Sequence, residues 1–176
     1  IVVDTKNFAV QTGERTFEAA AYLRRYGADP HAVSQLFKED DASVILRAKI
    51  ITEMKKPIPG LAVSVHSGGA QNDRNVSVVV AQAADELLTM NDIHVSAVLN
   101  ESDDGVSISA RSDGSVNVQT MMEELGGGGH QTVAGVQIKG AKAEDLIPKI
   151  IEMAKEQMKE SDSDEGNSAE GRKEVG

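Results

Sequence analysis

Four consecutive glycines, Gly126-Gly127-Gly128-Gly129, followed at once by His130, set the tightest limit on how this chain folds. They are not placed as a linker would be, because an amphipathic segment precedes them (Val118, Met121, Met122, Leu125) and an apolar run follows (Val133-Ala134-Gly135-Val136). Glycine admits positive φ angles and puts no side chain between a peptide N–H and an approaching ligand, so a phosphate can touch bare amides here. Just upstream, Val106 to Ser112 alternates in the manner of a strand. Val106, Ile108 and Ala110 face one way and Ser107, Ser109 and Arg111 the other. A guanidinium, an imidazole and bare amides in one short stretch define a site for an anionic, nucleotide-like ligand, with Ser109, Arg111, Ser112, Gly127, Gly128, Gly129 and His130 as its candidate residues.

Charge decides what else could bind. The chain of 176 residues carries a net charge of -10, and residues 160 to 176 hold six acids and two bases, which is -4 and leaves -6 for the remainder. Such a surface repels long nucleic acid but admits a small phosphorylated ligand held locally by Arg111. All five aromatic residues, Phe8, Phe17, Tyr22, Tyr26 and Phe37, precede Lys38, so the second part lacks the stacking platforms of general single-strand binders. This asymmetry also predicts a domain seam. Cysteine is absent, which removes disulfides and thiolate metal sites and fits a reducing cytoplasm. With 40% hydrophobic residues and no apolar run near the length of a membrane helix, a soluble α/β fold without membrane contact is expected.

In chain order, Ile1-Val2-Val3 reads as a buried strand that places Asp4 at its C-terminal end, as though the chain began inside a domain. A helix is expected over about 15–26, another after the Asp29 cap with Pro30 in its first position, and a third after Asp40 and Asp41. Lys55 to Gly60 contains two prolines and is read as a hinge at 57–60. Beyond it come a half-buried strand at 61–66, a Gly- and Asn-rich loop at 67–74 and a helix at about 75–89. A hairpin (93–100 and 105–111, turning at Asp103-Asp104-Gly105), a helix at about 116–125, a strand at 136–139 and a last helix at 143–159 complete the fold. Residues 130 to 135 are open to either a helical turn or the start of a strand. His31, His66 and His94 lack metal-ligand spacing and read as surface or helix-start residues. The polar residues from 160 onward predict a disordered acidic tail.

The pair of motifs Ser109-Ala110-Arg111-Ser112 and Gly126 to His130 resembles the substrate-binding domain of the DHH superfamily of phosphoesterases. Ala81 to Leu88 (Ala-Gln-Ala-Ala-Asp-Glu-Leu-Leu), Asn117-Val118 and Met122-Glu123-Glu124-Leu125 are similar to the bacterial cyclic-di-AMP phosphodiesterases within it. The resemblance spans residues 1 to about 159. It implies the end of a catalytic α/β domain at 1–56, the hinge at 57–60, a small mixed sheet flanked by helices at 61–159 and the tail at 160–176. It also implies an intact enzyme that hydrolyses cyclic-di-AMP with two manganese ions, anchored in the bacterial plasma membrane with this part on its cytoplasmic side. Oligoribonucleases, RecJ-type exonucleases and pyrophosphatases share the architecture, so short linear nucleotides are the alternative ligand and a non-catalytic nucleotide sensor a further one. A homodimer is compatible with all three.

Two departures stand out. Ala134 is followed by Gly135 where many relatives run Ala-Ala, and no Asp-His-His occurs. Of the family's metal ligands only Asp4, in Val3-Asp4-Thr5, has a match. One carboxylate cannot supply two hard cations with five or six ligands each. The chain alone is therefore expected to contain no catalytic residue and to bind nucleotide without hydrolysing it.

Overall fold

The computed structural model describes residues 1–5, 7–68 and 74–170, and the chain divides into two compact units, 1–40 and 41–176. The smaller unit opens with turns. Ile1 to Val3 is not a strand: the Thr5 N–H donates to the Ile1 carbonyl at 3.0 Å, and the Thr5 hydroxyl closes the same turn at 2.9 Å. The expected strand fails because the unit offers no second strand among the described residues, so the backbone groups pair locally instead. Helix α1 (Glu14–Arg25) and helix α2 (Pro30–Gln35) follow. Asp29 caps α2 as expected, accepting from the N–H groups of His31 and Ala32. Neither helix contains a buried residue; the Phe8 and Phe17 rings stack with centroids 5.6 Å apart.

The larger unit begins with α3 (Asp41–Thr52) and builds a six-stranded sheet in the order β1-β2-β3-β4-β6-β5. Its strands are β1 (Lys55–Ile58), β2 (Gly60–Ser67), β3 (Ile93–Ser102), β4 (Gly105–Ser112), β5 (Gly128–His130) and β6 (Val133–Lys139). Only β2 and β3 run parallel, joined by the crossover helix α4 (Arg74–Leu87); every other pairing is antiparallel. Part of the loop expected over 67–74, residues 69–73, lies outside the described residues.

The segment read as a hinge is instead edge strand β1 and the turn after it, and the division into units falls at 40/41. Pro57 is tolerated there because an edge strand has a side on which a missing N–H breaks no ladder. β2 is also more buried than its alternating sequence suggests, since helices cover both faces of the sheet. Ile50, Val79, Val80, Ala83, Ala84 and Leu87 of α3 and α4 pack on one face. On the other, Leu99, Val106, Ile108 and Ala110 meet Met121 and Met122 of α5 (Val118–Glu124) and Leu146 and Ile150 of α6 (Ala143–Glu170). The expected hairpin is β3–β4, and α5 starts at an Asn117 cap that accepts from the Gln119 and Thr120 N–H groups. Helix α6 runs past 159, where the apolar face ends, to Glu170; residues 171–176 of the acidic tail lie outside the described residues.

Candidate functional site

The side of the sheet under α4 is where the polar residues collect. Its strand registers align them in rows: Ala62, Ser96, Arg111, Val133 and His130 in one, Ser64, Val98, Ser109, Gly135 and Gly128 in the next, and His66, Asn100, Ser107 and Gln137 in a third. Between these rows and the first turns of α4 lies a cleft of about 350 Å³, bounded by Ser77 and Val80 above and by Ser107, Ser109, Gly135 and Gln137 below, with Gly127 at one end. Among the described residues no charged side chain lines it. A cavity of about 410 Å³ on the opposite face is lined by Glu53, Lys55, Pro57, Val63, Val65 and Ile147 and contains none of the residues of the glycine and Ser-Ala-Arg-Ser motifs.

The four glycines prove to have different duties. Gly126, at φ +86°, ends α5, with the Gly127 N–H donating to the Met122 carbonyl at 2.8 Å. A Cβ at Gly127 would collide with the Gly135 carbonyl and with Val136, and one at Gly129 with the backbone of Val133 and Ala134, so both glycines allow β5 to lie against β6. Gly128 has no such reason: a Cβ there meets nothing within 4 Å. It continues the Ser109–Gly135 row to the outer strand of the sheet, β5, whose far edge pairs with no strand among the described residues. Packing therefore explains Gly127 and Gly129 and a positive φ explains Gly126, and an open floor beside the cleft is what Gly128 provides.

Arg111 and His130 share a row, separated by Val133, roughly 10 Å apart at two strand spacings. His130 is exposed. Arg111 is buried, with 9% of its surface accessible, and is already engaged: Nη1 donates to its neighbour Ala110's carbonyl at 3.0 Å, and Nε stands 3.2 Å from Asp85 Oδ1 of α4. The Nε contact is not aligned as a hydrogen bond, so its attraction is electrostatic. Ser109 lines the cleft, whereas Ser112 faces away from it and accepts from the Gly114 and Val116 N–H groups, holding the turn after β4. That turn is further fixed by Asp113, whose Oδ2 lies 2.7 Å from His94 Nδ1 and whose Oδ1 accepts from the Ser115 hydroxyl at 2.6 Å. Partial burial alone would raise the Asp113 carboxyl's pKa, but the bonds from Ser115 and His94 together outweigh it and hold it below the ordinary value. His66, in the third row, is pushed the other way from a charged state: burial and then the nearby Lys49 lower its pKa, against a smaller opposing pull from Glu53.

Asp4 sits in an exposed turn with Oδ2 3.5 Å from the N-terminal ammonium, and no group of three or more His, Asp or Glu able to hold a metal occurs among the described residues. The donors present do not fit a two-metal centre. Sequence reasoning overlooked Ser77, Asp85 and Gln137, whose roles arise only when α4 crosses the sheet; Ser107 was visible in the β4 alternation.

Helices thus cover both faces of the sheet, and the cleft lies on the α4 side, with Gly127 and Gly135 in its lining. Residues 62–160 match the DHHA1 domain, and the chain belongs to this family of the DHH superfamily. It is 48% identical over 139 residues to the cyclic-di-AMP phosphodiesterase GdpP of Geobacillus thermodenitrificans, a match covering 78% of this chain and 21% of that protein. It is 44% identical over 152 residues to the cyclic-di-AMP phosphodiesterase PdeA of Listeria monocytogenes, covering 86% and 23%. The bifunctional oligoribonuclease and PAP phosphatase NrnA of Thermus thermophilus is 27% identical over 90% of this chain and 48% of its own length. The chain thus spans roughly a fifth to a quarter of the length of the two cyclic-di-AMP phosphodiesterases. Among solved structures, an exopolyphosphatase-related protein from Bacteroides fragilis shares the fold, with a TM-score of 0.78 over 92% of this chain and 49% of that one at 16% identity.

Proposed function

We propose that this chain is the substrate-holding portion of a phosphodiesterase that opens cyclic-di-AMP to linear pApA. The cleft under α4 would seat part of the nucleotide, with phosphate oxygens against the side-chain-free backbone of Gly127 to Gly129, whose Gly127 N–H is already given to the Met122 carbonyl, and Ser109 and His130 donating from the flanks. Arg111 would act chiefly by the field of its guanidinium, since Asp85 and the Ala110 carbonyl already hold it. Two manganese ions would belong to parts of a longer protein, because Asp4 by itself does not fit them. The chain alone would bind without hydrolysing. In this reading the longer protein is a membrane-anchored signalling enzyme of bacteria; among the described residues no helix is long and apolar enough to cross a membrane.

The observation that carries the reading is Gly128, a glycine that neither packing nor a positive φ requires, next to a cleft of nucleotide-subsite size. Its test is Gly128→Val, which suits a strand and leaves the fold intact. Calorimetric titration with cyclic-di-AMP is expected to show at least about a tenfold loss of affinity, roughly 1.4 kcal/mol, at unchanged melting temperature. Equal affinity in the variant would remove the glycine cradle. The similarity to an oligoribonuclease supports a second reading, short linear nucleotides as ligand. Tighter binding of pApA than of cyclic-di-AMP would favour it, and tight binding of either by a longer protein without hydrolysis would favour a sensor.

A further inference from the structure

We infer that Asn100 reads the nucleobase in this cleft, its carboxamide matching the adjacent donor and acceptor on the edge of an adenine. This rests on the nucleotide reading above and adds the residue that selects the ligand. Asn100 is fully buried, at 0% exposure, yet neither Oδ1 nor Nδ2 has a hydrogen-bond partner among the described residues. Other buried polar side chains on the same face are satisfied: Ser64 donates to the Ile50 carbonyl at 2.6 Å and Ser96 to the Ala84 carbonyl at 2.7 Å. An amide left unpaired in the interior costs about 1–3 kcal/mol, so its persistence calls for a partner that the protein itself does not supply.

The position fits a base. Asn100 is opposite Ser107 in the β3–β4 ladder, where facing Cβ atoms lie about 5 Å apart; Ser107 lines the cleft and Asn100 lies behind it, one strand further in, so a base reaches the amide by displacing the Ser107 side chain. Ser107 is two residues along β4 from Ser109, which shares its row with Gly128, and Asn100 on β3 is three strands from β5, so the two stations are separated by roughly 16 Å between Cα atoms. That interval suits a phosphate at the glycines and a heterocycle at the amide. Asparagine presents one donor and one acceptor side by side, as the adenine amino group and ring nitrogen require, and the described lining of the cleft, with its serines and Gln137, carries no charge.

The experiment compares AMP with ribose 5-phosphate as ligands of the whole chain, in the wild type and in Asn100→Leu and Asn100→Ala. The wild type is expected to bind AMP at least about tenfold more tightly, the worth of one good bidentate pair. In Asn100→Leu that ratio collapses to about twofold or less while ribose 5-phosphate affinity holds, and the melting temperature does not fall, because an apolar side chain replaces an unpaired amide. A ratio preserved in both variants overturns the inference, and a preserved ratio with a lowered melting temperature assigns the amide to the framework. If the wild type binds ribose 5-phosphate but AMP no better, only the base-reading role is lost. If it binds neither, the phosphate cradle falls and this inference with it.

Discussion

The two faces of the sheet are made of the same strands and follow opposite rules. Under α5 and α6, Leu99, Val106, Ile108, Met121, Met122 and Ile150 form a continuous apolar layer in which every one of these side chains is almost wholly buried. Under α4, the alternate positions of β3 and β4 carry Ser96, Asn100, Ser107, Ser109 and Arg111, and the burial they undergo is paired in some places and unpaired in others. Strand alternation makes this division of labour available, since each residue's neighbour faces the other side. One face can be optimised for cohesion while the other tolerates the energetic cost of a site.

The contrast is open to attack at several points. Leu99→Ala, at 0% exposure in the apolar layer, is expected to cost about 2–5 kcal/mol in denaturant unfolding while leaving the nucleotide affinity of the folded protein unchanged. A large loss of affinity there would mean the faces are not independent. On the polar face, Arg111→Ala should cost less, about 1–2 kcal/mol, because the Asp85 side chain that loses this contact is 37% exposed to water. It should also weaken cyclic-di-AMP binding; unaltered binding would reduce Arg111 to a tie between α4 and β4.

The smallest effect concerns the rim. Asp113 has a folded-state pKa below the 3.8 of a free aspartate, so it contributes stability above about pH 4 that is lost as the pH falls through the folded value. Its side chain is 41% exposed, which limits the contribution to under about 1 kcal/mol. Urea midpoints measured from pH 6 down to pH 2.5 should show this acid-side decline reduced in Asp113→Asn; an identical slope would deny the His94–Asp113–Ser115 cluster its part in holding the turn.

What could be read from the chain beforehand followed from local periodicity. The β3–β4 hairpin, the sidedness of β4 and the apolar face of α5 are each encoded within a few residues, and each was found close to where the sequence put it. The features that escaped are those created by partners distant in the chain. Nothing in Gly128-Gly129-His130 has strand propensity; these residues are β5 because β6 lies beside them. Lys55–Ile58 looks like a break and becomes an edge strand for the same reason, while Ile1 to Val3 looks like a strand and lacks a neighbour. The candidate site was legible only as a set of motifs close in sequence, of which Ser109 and Gly127 line one cleft. That Arg111 would be held by Asp85, that Ser112 would turn away, and that Asn100 would be left unsatisfied are matters of packing across elements, which no period in the sequence records.

The uneven duties of the glycine run carry a consequence for how such a chain can diversify. Selection for abundance alone would hold positions 126, 127 and 129 fixed, the first by its backbone angle and the others by steric exclusion, while leaving 128 free to drift. A library of variants sorted once for expression and once for ligand capture would therefore separate them, with tolerance at 128 in the first sort and intolerance in the second. Position 128 is accordingly the place to reshape ligand size without rebuilding the scaffold.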